Sequence, residues 1–243
     1  MIANNHPASS IRRNGVSSAE IERAIHFDVE GLLDVETGSP PLMASVLVDG
    51  RTETVVFEDQ SSALADAARA TGFRTVRLGP WLRDLVDRAV AESRRIAAYS
   101  RRERIVFEEC GIEGDEIALR YLDTRPLAIA WRRTQHPEID RAMKARRRRR
   151  RERGEFDRGR ENSLPALAKL AGIALPPMYG AGQVTSRLRA VIGQIDGRGS
   201  FEAITPTAKA KWANLVRHNR WDCEASKRLA LVAVEAAQNE PRR

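Results

Sequence analysis

Cysteine is scarce in this chain. Cys110 and Cys223 are the only two in 243 residues and stand in no CxxC or Cys/His spacing. That excludes a disulfide framework and a structural zinc site and leaves both as reduced packing residues. Long apolar runs are missing too: none approaches the roughly 18 to 20 residues of a membrane span. The opening stretch MIANNHPASSIRRNG has no apolar signal core. The expectation is a cytoplasmic protein with no membrane partner. No internal repeat is visible.

Positive charge is in excess. Lys and Arg outnumber Asp and Glu by 41 to 33, giving a formal charge of +8 and a pI near 10.1. That balance suits an anionic partner, nucleic acid first and an anionic membrane surface second. With 42% hydrophobic and 30% charged residues, a folded core is expected, and the length is consistent with one domain.

Residues 1–18 are polar and aperiodic and read as a flexible arm, with Ser17 to Ala24 adding a short helical turn. The domain follows over residues 19–240. AIHFDVEG, PPLMASVLVDG and RTETVVFED read as three consecutive strands, and Asp49-Gly50 suits a tight antiparallel hairpin between the last two. Helices are expected at Ser61 to Thr71 and around Leu82 to Ala89, then a strand at Arg95 to Tyr99 and a helix at Arg101 to Cys110. A strand at Ile117 to Leu122 and a helix at Pro126 to Thr134 complete a βββαβαβα-like order. The order implies an α/β fold around a mixed sheet flanked by helices. KARRRRRRERGEFDRGREN, at about 144–160, has almost no apolar content and reads as an insertion outside the core. Beyond it, helices are expected at SLPALAKLAG and at Val184 to Ile192, then a Gly-rich loop from Gly193 to Ser200 and a long helix from about Thr207 to Ala237.

Three constellations carry chemistry. In Asp28-Val29-Glu30, side chains two apart on a strand share a face, so both carboxylates converge where a hard divalent cation would bind. A solvated DxE at a strand end is equally compatible with the spacing. His218 and Asp222, four apart on a helix, also share a face and place a base beside a metal ligand. An ordinary surface hydrogen bond would use the same spacing. Glu103 opens a helix directly after a strand, where helix capping alone would also favour an acid.

Taken in order, these motifs resemble the DEDD (DnaQ-like) 3′-to-5′ exonuclease superfamily, in its histidine-bearing subtype. DxE on the first strand corresponds to Asp28 and Glu30, and H-x-x-x-D on the last helix to His218 and Asp222. Tyr99-Ser-Arg-Arg-Glu103 is similar to a Y-x-x-x-E variant of the intermediate motif, which normally ends in aspartate. YLDTRPL around Asp123 and NSLPALAKLAGI also look like the family. The resemblance covers roughly Ala24 to Glu235 and implies a ribonuclease H-like fold with a five-stranded mixed sheet. It further implies two Mg²⁺ or Mn²⁺ ions among Asp28, Glu30, Glu103 and Asp222. His218 would then deprotonate the attacking water, with Glu30 helping to position it, in phosphodiester hydrolysis.

Arg146, Arg147, Arg148, Arg149, Arg150 and Arg151 are the expected phosphate contacts on nucleic acid, DNA or RNA; a disordered, solubilising basic loop is the competing reading. Trp81, Trp131, Trp212 and Trp221 read as packing, and none is assigned to binding. The alternative functions are a catalytically degenerate module on the same fold, binding nucleic acid or protein, and an endonuclease.

Overall fold

The computed structural model describes residues 15–32, 40–113, 117–155, 160–177, 179–180 and 183–239. Its elements run α1 (Ser18–Arg23), β1 (Ile25–Gly31), β2 (Pro41–Val48), β3 (Arg51–Phe57), α2 (Ser62–Ala70), β4 (Arg74–Val76), α3 (Leu78–Ala91) and β5 (Ile96–Ala98). They continue with α4 (Arg101–Glu109), β6 (Tyr121–Asp123), α5 (Arg125–Gln135), α6 (Pro137–Glu152), α7 (Leu164–Leu170), α8 (Gln183–Arg198) and α9 (Pro206–Gln238). Among the described residues, no helix is long and apolar enough to cross a membrane.

The strands form one six-stranded mixed sheet in the order β4-β3-β2-β1-β5-β6. β2 is antiparallel to both β1 and β3; the pairs β1–β5, β5–β6 and β3–β4 are parallel. Asp49 and Gly50 both take positive φ, 50° and 76°, in the turn between β2 and β3. That twist matches the flanking strands, so the hairpin closes in two residues.

Alternation along β1 divides its side chains between two layers. Ile25 and Phe27 join Trp81, Phe57 and Phe107 in a core under α3 and α4, with ring centroids 5.5 to 5.9 Å apart. The opposite face is covered by α2, α5, α7, α8 and the 33-residue α9.

A polar row fixes α9 on that face. Asp28, Ser45 and Thr54 are register partners across β1, β2 and β3. Each is held by consecutive turns of α9: Asn219 Nδ2 donates to Asp28, the Cys223 thiol to Ser45 O at 3.2 Å, and Arg220 Nε to Thr54 Oγ1 at 3.0 Å. The Ser45 and Thr54 hydroxyls are also 2.9 Å apart. Hydrophobic contact alone would let a helix slide along a sheet, whereas buried donors and acceptors tolerate one register only. Cys223 is thus buried and, like the partly buried Cys110, unbridged.

The architecture agrees with the α/β expectation but adds a strand. β4, Arg74-Thr75-Val76, is too short and exposed to announce itself by alternation; it forms by pairing with the open edge of β3. The strand expected from Ile117 begins only at Tyr121, because the residues before it curl into a helical turn that buries Ile117 under α4. The loop expected after Gly193 is instead helix, as α8 runs to Arg198. Buried Leu188, Val191 and Ile195 anchor that helix, which outweighs the ~1 kcal/mol each interior glycine costs.

The arginine run is helical too. α6 is anchored by Asp140, which pairs with Arg132 at 2.6 Å and with Lys144 at 2.8 Å, and it carries an Arg148–Glu152 pair one turn apart. Its apolar contribution stops at Met143, in keeping with a segment outside the core. At the other end, Val16 packs against the core and Ser17 caps α1, so the expected arm does not extend to residue 18; residues 1–14 lie outside the described residues.

Candidate metal centre

The end of β1 meets the middle of α9. Asp28 and Glu30 point to the α9 face, and His218 turns its Nε2 toward them, 3.9 Å from Glu30 Oε1 and 3.4 Å from Asp222 Oδ2. One ligand atom from each of Glu30, His218 and Asp222 lies within 4.8 Å of the other two. Among the described residues, no other set of three metal-ligating side chains converges in this way. Asp28 and Glu103 stand outside that triad but close enough for their charges to act on it.

Three of the four acids are held by a hydrogen-bonding neighbour. Asn219 Nδ2 donates to Asp28 Oδ2 and, at 3.3 Å, to the Asp28 carbonyl. The Tyr179 hydroxyl donates to Asp222 Oδ1, which leaves Oδ2 facing His218. Glu103 Oε2 accepts from the Ser100 hydroxyl at 2.6 Å and from its backbone N–H at 3.2 Å, a reciprocal capping box that starts α4. Glu103 therefore does what a capping acid does and is also 4% exposed, far deeper than capping requires.

The electrostatics are those of an uncompensated acid cluster. Burial, then the charges of Asp222, Glu30 and Glu103, push the Asp28 carboxyl well above the usual range. Glu30 is raised by burial and by Asp222 and Glu103. Burial lifts both Glu103 and Asp222 to about 7. Carboxylates crowded into a low-dielectric site cannot all ionise without a cation among them. The donor set is hard oxygen plus one imidazole, which fits Mg²⁺ or Mn²⁺.

His218 is shifted the other way. Burial, and then the positive charge of Arg187 on α8, lower its imidazole to about 4. That shift keeps the ring in its neutral, proton-accepting form and makes it a weaker base than an ordinary imidazole.

Three groups of the site escape a reading of motifs. Tyr179 lies face to face with His218, centroids 4.0 Å apart and planes 9° from parallel, and touches Trp221 at 4.4 Å. Asn219 and Arg187 act on Asp28 and His218 respectively. Asn219 sits inside the H-x-x-x-D motif, so its proximity had a sequence signal. Tyr179, on a Pro- and Gly-rich connection, had none.

Arg146 to Arg151 lie on α6, and none of them is in the converging triad. Arg146 and Arg147 reach Glu161 at 3.8 and 3.6 Å, Arg148 reaches Glu152 at 3.4 Å, and Arg150 reaches Glu155 at 4.0 Å. The helix is tied toward the site through Arg132, which pairs with Asp140 and also donates to Asn162 Oδ1. The Asn162 carbonyl accepts from the Tyr99 hydroxyl at 3.0 Å, just beyond β5.

Comparison with known proteins yields no match: no family model fits the chain, and no curated protein or solved structure resembles it at a significant level.

Proposed function

We propose that the chain is a metal-dependent nuclease that hydrolyses phosphodiester bonds of nucleic acid from the 3′ end, as in the DEDD exonucleases its motifs resemble. The observation that carries this reading is the convergence of Glu30, His218 Nε2 and Asp222 within 4.8 Å of one another, in a group of acids of which Glu103 and Asp222 are buried and Asp28 and Glu30 half-buried. The strand order supports it. β3-β2-β1-β5-β6, with β2 alone reversed, is a five-stranded mixed sheet of the kind the resemblance implies, and β4 is an addition at its edge.

Two Mg²⁺ or Mn²⁺ ions held among Asp28, Glu30, Glu103 and Asp222 would stabilise the attacking and leaving oxygens of an in-line displacement at phosphorus. His218, neutral and buried, takes the proton of the attacking water on Nε2. Glu30 and Asp222 flank that nitrogen at 3.9 and 3.4 Å. Asn219 and Tyr179 keep Asp28 and Asp222 from turning away, the role hydrogen-bonded neighbours play around ligating carboxylates.

The test is a size ladder from a 5′-labelled oligonucleotide in Mn²⁺. Stepwise shortening by the wild-type protein, abolished by Asp28→Asn with the fold intact, is expected. An intact substrate would favour the rival reading, a catalytically degenerate module whose Glu103 serves only as a helix cap. Internal fragments without stepwise shortening would make it an endonuclease.

A further inference from the structure

At the end of the sheet opposite the carboxylates, three separate stretches of chain meet around a groove of about 290 Å³. β1, β5 and β6 run parallel and begin at this end. Asp28 and Glu30 lie toward the far end of β1, roughly 10 to 20 Å away at about 3.3 Å per residue. α1 contributes Glu20 and Arg23 to the groove, the link between α3 and β5 contributes Arg94 and Arg95, and the residues leading into β6 contribute Leu119 and Arg120.

Arg94 ties these walls together. Its guanidinium clasps the Asp49 carboxylate of the β2–β3 turn through two hydrogen bonds of 2.8 Å, donates to the Arg23 carbonyl at 2.9 Å and pairs with Glu92 at 2.6 Å. Its charge is thereby neutralised within the fold. The other three arginines are less committed. Arg95 reaches Glu20 only at 3.7 Å, Arg23 donates to the uncharged Glu92 carbonyl at 3.4 Å, and Arg120 forms no ion pair among the described residues. Glu20 is the one acid of the described lining, and Ser17 holds its second oxygen in the capping box of α1. Cations therefore remain in excess. Beside them Leu119 is 79% exposed, the most exposed large apolar side chain among the described residues, and Ala19 on α1 is exposed as well.

We propose that this groove docks an acidic segment of a partner protein, with an apolar side chain laid on Leu119 and Ala19 and flanking carboxylates taken by Arg23, Arg95 and Arg120. A guanidinium fork matches a carboxylate through two parallel hydrogen bonds, which gives direction as well as attraction. A nucleic-acid strand fits worse on two counts. Its backbone offers little apolar surface to cover Leu119, and it carries a charge at every residue, so that one of them meets Glu20. A peptide can set its acids to either side of Glu20 and a neutral residue opposite it. The inference does not depend on the nuclease reading, because the groove includes no residue of the metal centre.

The test is a titration of the isotope-labelled full chain in EDTA, followed by NMR, with a short peptide of glutamates and aspartates around a central leucine. The amides of Ala19, Leu119 and Arg120 are expected to shift and to saturate below millimolar peptide, with Asp28→Asn binding equally well. Leu119→Ser and Arg120→Glu, at side chains that make no hydrogen bond to the rest of the described fold, are each expected to weaken binding about tenfold. Replacing the peptide's leucine by serine is expected to cost as much against wild type and nothing further against Leu119→Ser, which ties the two leucines together. No shift at these amides with millimolar peptide overturns the proposal, as does binding indifferent to both substitutions. Inorganic phosphate or a single-stranded oligonucleotide that shifts the same amides at lower concentration than the peptide assigns the groove to phosphate and overturns it too.

Discussion

The phenol of Tyr179 lies flat on the imidazole of His218, 4.0 Å between centroids and 9° from parallel, while its hydroxyl donates to Asp222 Oδ1. One side chain thus screens the base from water and orients an acid. Removing the ring admits water, and the burial that depresses His218 is lost. In Tyr179→Ala the imidazole is expected to rise from about 4 toward its ordinary 6.5, read by NMR titration of its ring protons. Tyr179→Phe keeps the stack and is expected to leave His218 near 4 while costing about 1 to 3 kcal/mol for the lost hydrogen bond to an acid.

The acid cluster makes stability depend on pH and on metal. Glu103 and Asp222 titrate near 7 when folded, above their ordinary 4.5 and 3.8. The folded state binds their protons more tightly than the unfolded one, so their neutral forms hold full stability at low pH. That stability is lost as pH rises through about 7. His26 and His218, both lowered to about 4, work oppositely: stability is present above about 6.5 and lost as pH falls toward 4. Between pH 6.5 and 8 only the acids act. The metal-free melting temperature is expected to fall across that window, and Mn²⁺ to raise it more at pH 8 than at pH 6.5. A metal-free melting temperature that rises from 6.5 to 8 would contradict the assignment.

Asp28→Asn is expected to lose hydrolysis while raising metal-free stability at pH 8. The amide removes one charge from the cluster and its oxygen still accepts from Asn219. Thermal melts beside activity assays distinguish this from simple unfolding.

Glu103 has two roles that substitutions separate. Glu103→Gln keeps an oxygen for the Ser100 hydroxyl and N–H, so stability is expected to hold within about 1 kcal/mol while metal-dependent activity falls. Glu103→Ala also loses the hydrogen bonds to Ser100, at about 0.5 to 1.5 kcal/mol each. Full activity in Glu103→Gln would show that the acid serves the helix alone.

Part of this site is legible in the sequence. The spacings of Asp28-Val29-Glu30 and His218 to Asp222 were readable because strand and helix periods alone decide which side chains share a face. Their convergence was not, since it depends on the register of Asp28, Ser45 and Thr54 beneath α9, whose partners are far away along the chain. Tyr179 was invisible for the same reason: its meaning comes from Asp222, 43 residues on. β4 and the glycine-bearing end of α8 were missed because tertiary packing, not local preference, forms them.

The arginines of α6 are partly engaged by Glu152, Glu155 and Glu161. If all six contacted phosphates, replacing Arg146 to Arg151 by serine would flatten the log–log salt dependence of nucleic-acid affinity by about five. A clearly smaller change is expected, measured by anisotropy over a range of salt. An unchanged slope would leave the helix no part in binding.

The most direct test of the central claim is the number of Mn²⁺ ions the chain binds, counted by equilibrium titration and examined by electron paramagnetic resonance. Two ions per chain, spin-coupled as ions about 3.5 to 4 Å apart would be, and lost together in Asp28→Asn, are the predicted result. No binding, or uncoupled binding indifferent to Asp28 and Asp222, would contradict it.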